Sequence, residues 1–140
     1  MTQPPPPAPR IAGLRMQYHL RESPQGTLAW DVHRLIALAQ AQALPVQQLP
    51  LAHMAELDEN HWFAHGEPPT PRALLAHWQL VQAADLRFPI TVSAQGRVMD
   101  GMHRILKALH LGHTHIAAQQ FAVTPPPDFI GVHPDDLPYD

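Results

Sequence analysis

The sequence predicts an α/β (α+β) fold, in which one small domain packs helices against a mixed β-sheet. Two observations predict this class. Short apolar runs of strand length alternate with segments whose apolar residues recur at helical spacing. The chain of 140 residues also has the length of a single domain. The predicted order of elements is helix, strand, helix, hairpin, helix, strand.

The first predicted helix begins after Asp31, whose side chain is a favourable N-cap. It should end near Leu44–Pro45, because the residue before a proline resists helical backbone angles. Val46–Leu51 follows as a short predicted strand. Leu51–Glu59 is then interpreted as a turn or a short helix.

The second predicted helix begins at Thr70 and Pro71, an N-cap residue followed by proline at the first helical position. Apolar residues follow at helical spacing, namely Leu74, Leu75, Trp78 and Val81. The segments Phe88–Ser93 and Arg97–Met99 are predicted to pair as a hairpin around the turn Ala94–Gly96.

The third predicted helix spans Gly101–Leu111 and ends at Gly112, and Ile116–Phe121 is the last predicted strand. These bounds place the folded domain at residues 11–124. Residues 1–10 are predicted to be a disordered proline-rich tail. Residues 125–140 are proline-rich and acidic, but they hold too many apolar side chains for a solvated tail. We therefore expect this segment to pack on the surface of the domain.

Composition limits the classes of function. The net charge is -3 with histidines neutral, and no run is rich in lysine or arginine, which argues against DNA as a partner. The absence of cysteine excludes disulfides, thiolate catalysis and cysteine-based zinc sites. No apolar stretch approaches the ~20 residues that cross a bilayer, and the start of the chain does not resemble a secretory signal. We expect a cytoplasmic protein with no membrane partner.

The segment Gly96–Arg104 carries the strongest functional signal. A short strand runs into an Asp-Gly turn and directly into a helix whose first turn contains His103 and Arg104. Backbone N–H groups at a helix N-terminus, a glycine at position 101 and two cationic side chains are the combination that holds an anion, most often a phosphate. A side chain in place of Gly101 would block the close approach of that anion.

The pattern extends beyond this turn. An apolar strand, a glycine turn and a second strand precede Asp100–Arg104, and an alanine- and leucine-rich helix, Leu111–Gly112 and the strand Ile116–Ala118 follow it. In this order the segment Pro89–Phe121 resembles the ParB/sulfiredoxin-like family. Leu49–Leu51 also resembles that family's first strand, so the resemblance covers about half of the chain clearly, and it is more specific than the turn alone. It implies that family's fold, with a nucleotide-phosphate site at the turn.

The resemblance implies that Gly101, Met102, His103 and Arg104 bind the ligand, a nucleoside triphosphate (ATP or CTP) with Mg²⁺. Sulfiredoxins carry their reactive cysteine where this chain has Met102, so sulfinic-acid repair is excluded, because a thioether forms no thiolate. Partition proteins carry a DNA-binding helix-turn-helix after this domain, for which residues 122–140 are too short. Free-serine kinases, with Asp-Gly-x-His-Arg, match the turn best.

Asp100, His103 and Glu59 are the predicted catalytic residues. Asp100 would bind Mg²⁺ or accept a substrate proton, or alternatively cap the next helix. His103 would donate a hydrogen bond or shuttle a proton, or alternatively bond a backbone carbonyl. Glu59 precedes the aromatic pair Trp62–Phe63, which is a stacking surface for a base or ring in one interpretation and a pair of core anchors in the other. Arg104 would grip the phosphate, or alternatively form an ion pair with Asp100 or Glu59.

No metal site is predicted. A zinc site would need the closely spaced histidines His110, His113 and His115, and no carboxylate neighbour supports one. We expect a protein that binds a nucleotide or another phosphorylated small molecule. If it is an enzyme, phosphoryl transfer or nucleotide hydrolysis is the expected class, and nuclease activity is not expected. The alternative is a non-catalytic binding or regulatory module that acts through a protein partner or a homodimer.

Overall fold

Two β-sheets replace the single mixed sheet of the prediction in the computed structural model, which describes residues 10–139. Together with three α-helices they form one small domain of mixed α/β content. The helices are α1 (Val32–Ala41), α2 (Pro71–Ala83) and α3 (Met102–His110). The strands are β1 (Tyr18–Ser23), β2 (Gly26–Asp31), β3 (Val46–Pro50), β4 (Ile90–Val92), β5 (Val98–Asp100), β6 (His115–Gln120) and β7 (Phe129–Ile130). Within this part of the chain no helix combines the length and the apolar character that crossing a bilayer requires.

The first sheet has the order β1-β2-β7 and is antiparallel throughout. Its hairpin of β1 and β2, in which Ser23 pairs with Gly26, lies before α1 in a region for which no strands are predicted. The two-residue strand β7 extends the sheet by pairing Phe129 with Ala29. Residues 125–139 therefore contribute a strand to the domain.

The second sheet has the order β3-β6-β4-β5. The predicted hairpin is confirmed as β4 and β5, although β4 is shorter than the predicted segment Phe88–Ser93. Helix α3 then carries the chain across to β6, which lies parallel to β4, while β3 lies antiparallel to β6. The turn between β5 and α3 is therefore the start of a strand-to-strand crossover.

Apolar clusters lie on both faces of the second sheet. Successive residues of a strand point to opposite faces, so Val98 of β5 joins the cluster that includes Ile105 of α3, and Met99 joins the cluster that includes Leu35 of α1. All four side chains are almost completely buried. The sheet is thus enclosed between α3 and α1, which fixes the start of α3 at one end of β5.

The predicted helix starts are confirmed. The Asp31 carboxylate accepts a hydrogen bond from the backbone N–H of His33 at 2.9 Å, and the Thr70 hydroxyl accepts one from the N–H of Ala73 at 3.1 Å. The predicted end of the first helix near Leu44 is wrong by three residues. Ala43 adopts a left-handed conformation (φ +50°), which stops α1 at Ala41.

Both terminal segments of the described chain contact the end of β2, directly before α1. The Arg10 guanidinium pairs with the Asp31 carboxylate at 2.9 Å, and the indole N–H of Trp30 donates to the Pro125 carbonyl at 2.8 Å. Leu137, near the C-terminal end of the described residues, is also buried. The predicted disordered tail, residues 1–10, lies outside the described residues except for Arg10.

Candidate functional site

The turn predicted to bind an anion connects β5 to α3 through Gly101. This glycine has φ +123°, a conformation that L side chains rarely adopt, and it is the N-cap of α3. No side chain caps α3, so the alternative in which Asp100 caps the helix is wrong. The first-turn N–H groups of Met102, His103 and Arg104 thus lack the capping side chain that Asp31 and Thr70 supply to α1 and α2.

Gly101 is required by packing inside the protein. A Cβ built on this residue would lie 2.3 Å from Cγ2 of Ile90 and 2.7 Å from its Cβ, far inside van der Waals contact. Ile90 is a fully buried residue of β4. The structure gives a different reason for the glycine, the close approach of α3 to the second sheet. The close approach of a ligand stays a prediction.

Arg104 is held by three oxygen atoms of the protein itself. Its Nη2 donates to the Asp100 carboxylate at 2.7 Å, and its Nη1 donates to the carbonyls of Phe88 at 3.1 Å and Pro89 at 2.6 Å. The side chains of Arg104 and Asp100 are 16% and 10% exposed. This is the ion pair that the sequence analysis gave as the alternative to phosphate contact. In this structure Arg104 fixes the turn by tying α3 to β5 and to the segment before β4.

Met102 is also predicted to bind the ligand, but its side chain points into the core. It is 6% exposed and belongs to the same apolar cluster as Ile90 and Ile105. Only its backbone N–H remains as a group for a ligand. The side chain of Met102 is thus part of the core.

Glu59, the predicted catalytic acid, pairs with Arg97 and not with a residue of the turn. Both of its carboxylate oxygens accept from the Arg97 guanidinium, at 2.6 and 3.0 Å, and this hydrogen bonding is the main reason that the pKa of Glu59 is lowered. Arg97 precedes β5, whereas Asp100 ends it. The neighbouring Glu56 is buried and accepts a 2.5 Å hydrogen bond from the N–H of Val98. The acids of this segment therefore anchor the start of β5.

His103 lies in a group of stacked rings. Its Nε2 is 2.9 Å from Nδ1 of His77 in α2, and the two imidazole planes differ by 18°. The Trp62 ring stacks on His77 with centroids 4.0 Å apart and on His103 with centroids 4.8 Å apart. The predicted alternative, a histidine bonded to a backbone carbonyl, is not what the structure shows. Trp62 also packs against the apolar cluster that includes Ile90, which agrees with the core-anchor interpretation, and the rings that it stacks on are those of His77 and His103.

Both imidazoles of this pair are held in the neutral form. Burial is the main cause that lowers the pKa of His103 to about 4, and the positive neighbours Arg15 and Arg104 act in the same direction. Burial also lowers the pKa of His77, with a smaller opposite contribution from Glu67. A neutral imidazole carries one N–H and one lone pair, so at neutral pH each ring can donate and accept a hydrogen bond.

His77 is the functional candidate that the sequence analysis missed. It is one of 11 histidines in the chain, and it belongs to no recognisable sequence motif. The available signal is its position four residues before Val81, the one buried residue of α2, which places both on the helix face that packs inward. That position does not reveal the partner, because His103 is 26 residues away in another helix.

Two further features border the site. A cleft of about 330 Å³ is lined by Trp62 and by residues that include Glu67, Asp135 and Tyr139, and no lysine or arginine lines it. Lys107, one turn beyond His103 in α3, donates to the carbonyls of Gln82 and Ala84 at the end of α2. Its positive charge therefore lies at the C-terminus of α2, where it interacts favourably with the helix dipole.

Among residues 10–139 no group of three or more histidine, aspartate or glutamate side chains is arranged to hold a metal ion. His113, which precedes β6, and His110 and His115 are all exposed. No protein-family model, curated protein or solved structure matches this chain.

Proposed function

We propose that the protein is a cytoplasmic ParB/sulfiredoxin-like domain that binds a phosphate-bearing small molecule, a nucleotide with Mg²⁺, at the first turn of α3. The observation that carries the proposal is the uncapped start of this helix, with the neutral imidazole of His103 in the same turn. The partial positive charge of a helix N-terminus and its unpaired N–H groups favour a phosphate there.

Each residue of the turn then has a defined role. The first-turn N–H groups and His103 contact the phosphate oxygens, while Arg104 keeps the turn in place through Phe88, Pro89 and Asp100. Asp100 is the carboxylate that would hold Mg²⁺, which proteins bind through one or two carboxylates together with substrate phosphates. In an enzyme of this design, phosphoryl transfer or nucleotide hydrolysis is the supported class, with His103 exchanging a proton with the acceptor. Glu59 has no part in it.

A thermal-shift titration with ATP, ADP, CTP and GTP, each with Mg²⁺, tests the proposal. A ligand at ~100 times its Kd adds about 2.7 kcal/mol to the free energy of unfolding, which raises the Tm by several degrees for a domain of this size. His103→Phe keeps a ring of similar size against Trp62 but removes both nitrogen atoms. We expect it to weaken binding about tenfold, the loss of one hydrogen bond to a charged group.

His110→Phe is the matched control, because it makes the same change at the other end of α3. It should leave the nucleotide-induced shift at the wild-type value. The proposal is wrong if no nucleotide raises the Tm of the wild-type protein, or if His103→Phe binds as tightly as wild type does.

A second candidate function is a non-catalytic module that binds a protein partner or a second copy. It is favoured by the exposed apolar side chains of α2, where Leu74, Leu75 and Trp78 are 50%, 54% and 41% exposed. A turnover assay separates an enzyme from such a module, since a module binds the nucleotide without hydrolysing it or transferring its phosphoryl group. Sedimentation velocity on wild type and Leu75→Gln shows whether the partner is a second copy, in which case the substitution weakens self-association.

A further inference from the structure

The two imidazoles of the stacked group are joined edge to edge. Their centroids are 5.2 Å apart, the separation of two nearly coplanar rings linked by one hydrogen bond, and the bonded atoms are Nδ1 of His77 and Nε2 of His103. Both rings are roughly parallel to the indole of Trp62, at 10° and 18°. Because the imidazoles lie closer to each other than rings on opposite faces could, they share one face of the indole. Trp62 therefore keeps the pair coplanar.

This bond leaves two outer nitrogens with complementary chemistry. When Nε2 of His103 donates, its Nδ1 is a lone pair and Nε2 of His77 carries a proton. When Nδ1 of His77 donates, Nδ1 of His103 carries the proton and Nε2 of His77 is the lone pair. The two arrangements have the same net charge, so the pair can exchange donor and acceptor character between its ends without becoming charged.

The surroundings keep the pair neutral. Besides His77, the charged and titratable groups that lower the pKa of His103 are Arg15, His61 and Arg104, and all of them oppose a further positive charge. Glu67 acts on His77 in the opposite direction but more weakly than Arg15 does. Charging either ring is therefore unfavourable near neutral pH, whereas moving a proton along the pair is not opposed by these charges.

We propose that His77 and His103 form a proton relay that serves the first turn of α3. A proton from the ligand, such as that of a phosphate monoanion, enters at Nδ1 of His103. The proton on Nε2 of His103 passes to Nδ1 of His77, and the proton on Nε2 of His77 leaves to solvent. Both rings end neutral, and each nitrogen has exchanged its role. His77 is a positioning residue that acts through His103, and the ligand's part in this inference rests on the proposed function.

The test is nitrogen NMR of the imidazoles in the full-length, ¹⁵N-labelled protein at pH 7. Without ligand, we expect a scalar coupling through the hydrogen bond between Nδ1 of His77 and Nε2 of His103. With inorganic phosphate as the probe, we expect Nδ1 of His103 and Nε2 of His77 to shift in opposite directions. In His77→Phe, which keeps a ring on Trp62, the coupling is lost. His113→Phe, an exposed control, leaves both signals unchanged.

Three results overturn the relay or its basis, and they differ from one another. No coupling in the ligand-free protein shows that the imidazoles are not bonded, whatever phosphate does. If the coupling is present but phosphate shifts only the signals of His103, the imidazoles are bonded but no proton passes from His103 to His77. Coupling with no response at either ring overturns the proposed phosphate site, and with it the relay's link to a ligand, while the pair itself is retained.

Discussion

The backbone N–H of Asp31 donates a 2.7 Å hydrogen bond to Oδ2 of Asp128, 97 residues further along the chain. The other oxygen of the Asp128 carboxylate lies 2.6 Å from Nε of Arg34 in α1, and the Asp128 side chain is only 6% exposed. One buried carboxylate thus joins the start of α1 to the C-terminal segment. Its two contacts hold that segment where β7 can pair with β2.

We expect Asp128→Ala to lower the free energy of unfolding by about 2–4 kcal/mol, because it leaves a buried N–H and a partly buried guanidinium without this acceptor. Urea denaturation measures the loss. Asp136→Ala is the control, since this aspartate lies in the same segment but is exposed, and it should change stability by less than about 0.5 kcal/mol. Equal stability of the two variants would show that the bridge does not hold the segment.

Gly101→Ala should be more destabilising than an ordinary glycine replacement. The new Cβ would overlap Ile90 at 2.3 Å in addition to the strain of its positive φ. We expect a loss of about 2–4 kcal/mol, the sum of overpacking and left-handed backbone strain. Gly112→Ala is the matched control, because its φ is also positive (+85°) but nothing lies within 4 Å of the added carbon. It should lose only about 1 kcal/mol.

A double-mutant cycle separates the overlap from the strain. Ile90→Ala removes Cγ2, so Gly101→Ala should be less harmful in that background than in wild type. Additive losses would mean that the contact between Ile90 and position 101 is not the cause.

The parts of the structure that could be predicted are those encoded by neighbouring residues. The N-caps at Asp31 and Thr70 and the β4–β5 hairpin are local signals, and all are confirmed. Strand β7 of the first sheet could not be predicted in the same way, because its two residues become a strand only by pairing with β2 about 100 positions earlier. The hairpin of β1 and β2 is a local pairing that was not predicted.

The candidate site shows the same division. The glycine turn and the helix start after Asp100 follow from sequence, but the partners of the side chains do not. Glu59 contacts Arg97, 38 residues away, and Arg104 bonds the carbonyls of Phe88 and Pro89. His103 finds His77 in a different helix. The partner of each of these side chains depends on how α2, α3 and the second sheet pack against one another.

Stability should decrease as the pH falls from 7 toward 4. Burial is the main cause that lowers the pKa of His19 to about 3 and that of His103 to about 4, whereas both titrate near 6.5 in the unfolded chain. Between these values the unfolded state binds more protons, so the free energy of unfolding rises with pH and is lost on acidification.

His19→Phe tests this dependence, because it removes one of the two groups. We expect the wild-type protein to lose about 2 kcal/mol more than His19→Phe between pH 7.5 and pH 5.0, measured by urea denaturation at each pH. His113→Phe, at an exposed position, should follow the wild-type curve. Parallel curves for wild type and His19→Phe would contradict the assignment.

Lys107 should stabilise the C-terminus of α2. Its ammonium group donates to the carbonyls of Gln82 at 2.9 Å and Ala84 at 2.6 Å, where a helix has unpaired acceptors and partial negative charge. Lys107→Met keeps most of the aliphatic stem but removes the donor, and we expect a loss of about 1 kcal/mol with faster hydrogen exchange confined to the last turn of α2. Arg87→Met is the control, because the exposed pair of Arg87 with Asp85 contributes little. If Lys107→Met leaves exchange in that turn unchanged, the lysine does not stabilise the C-terminus of α2.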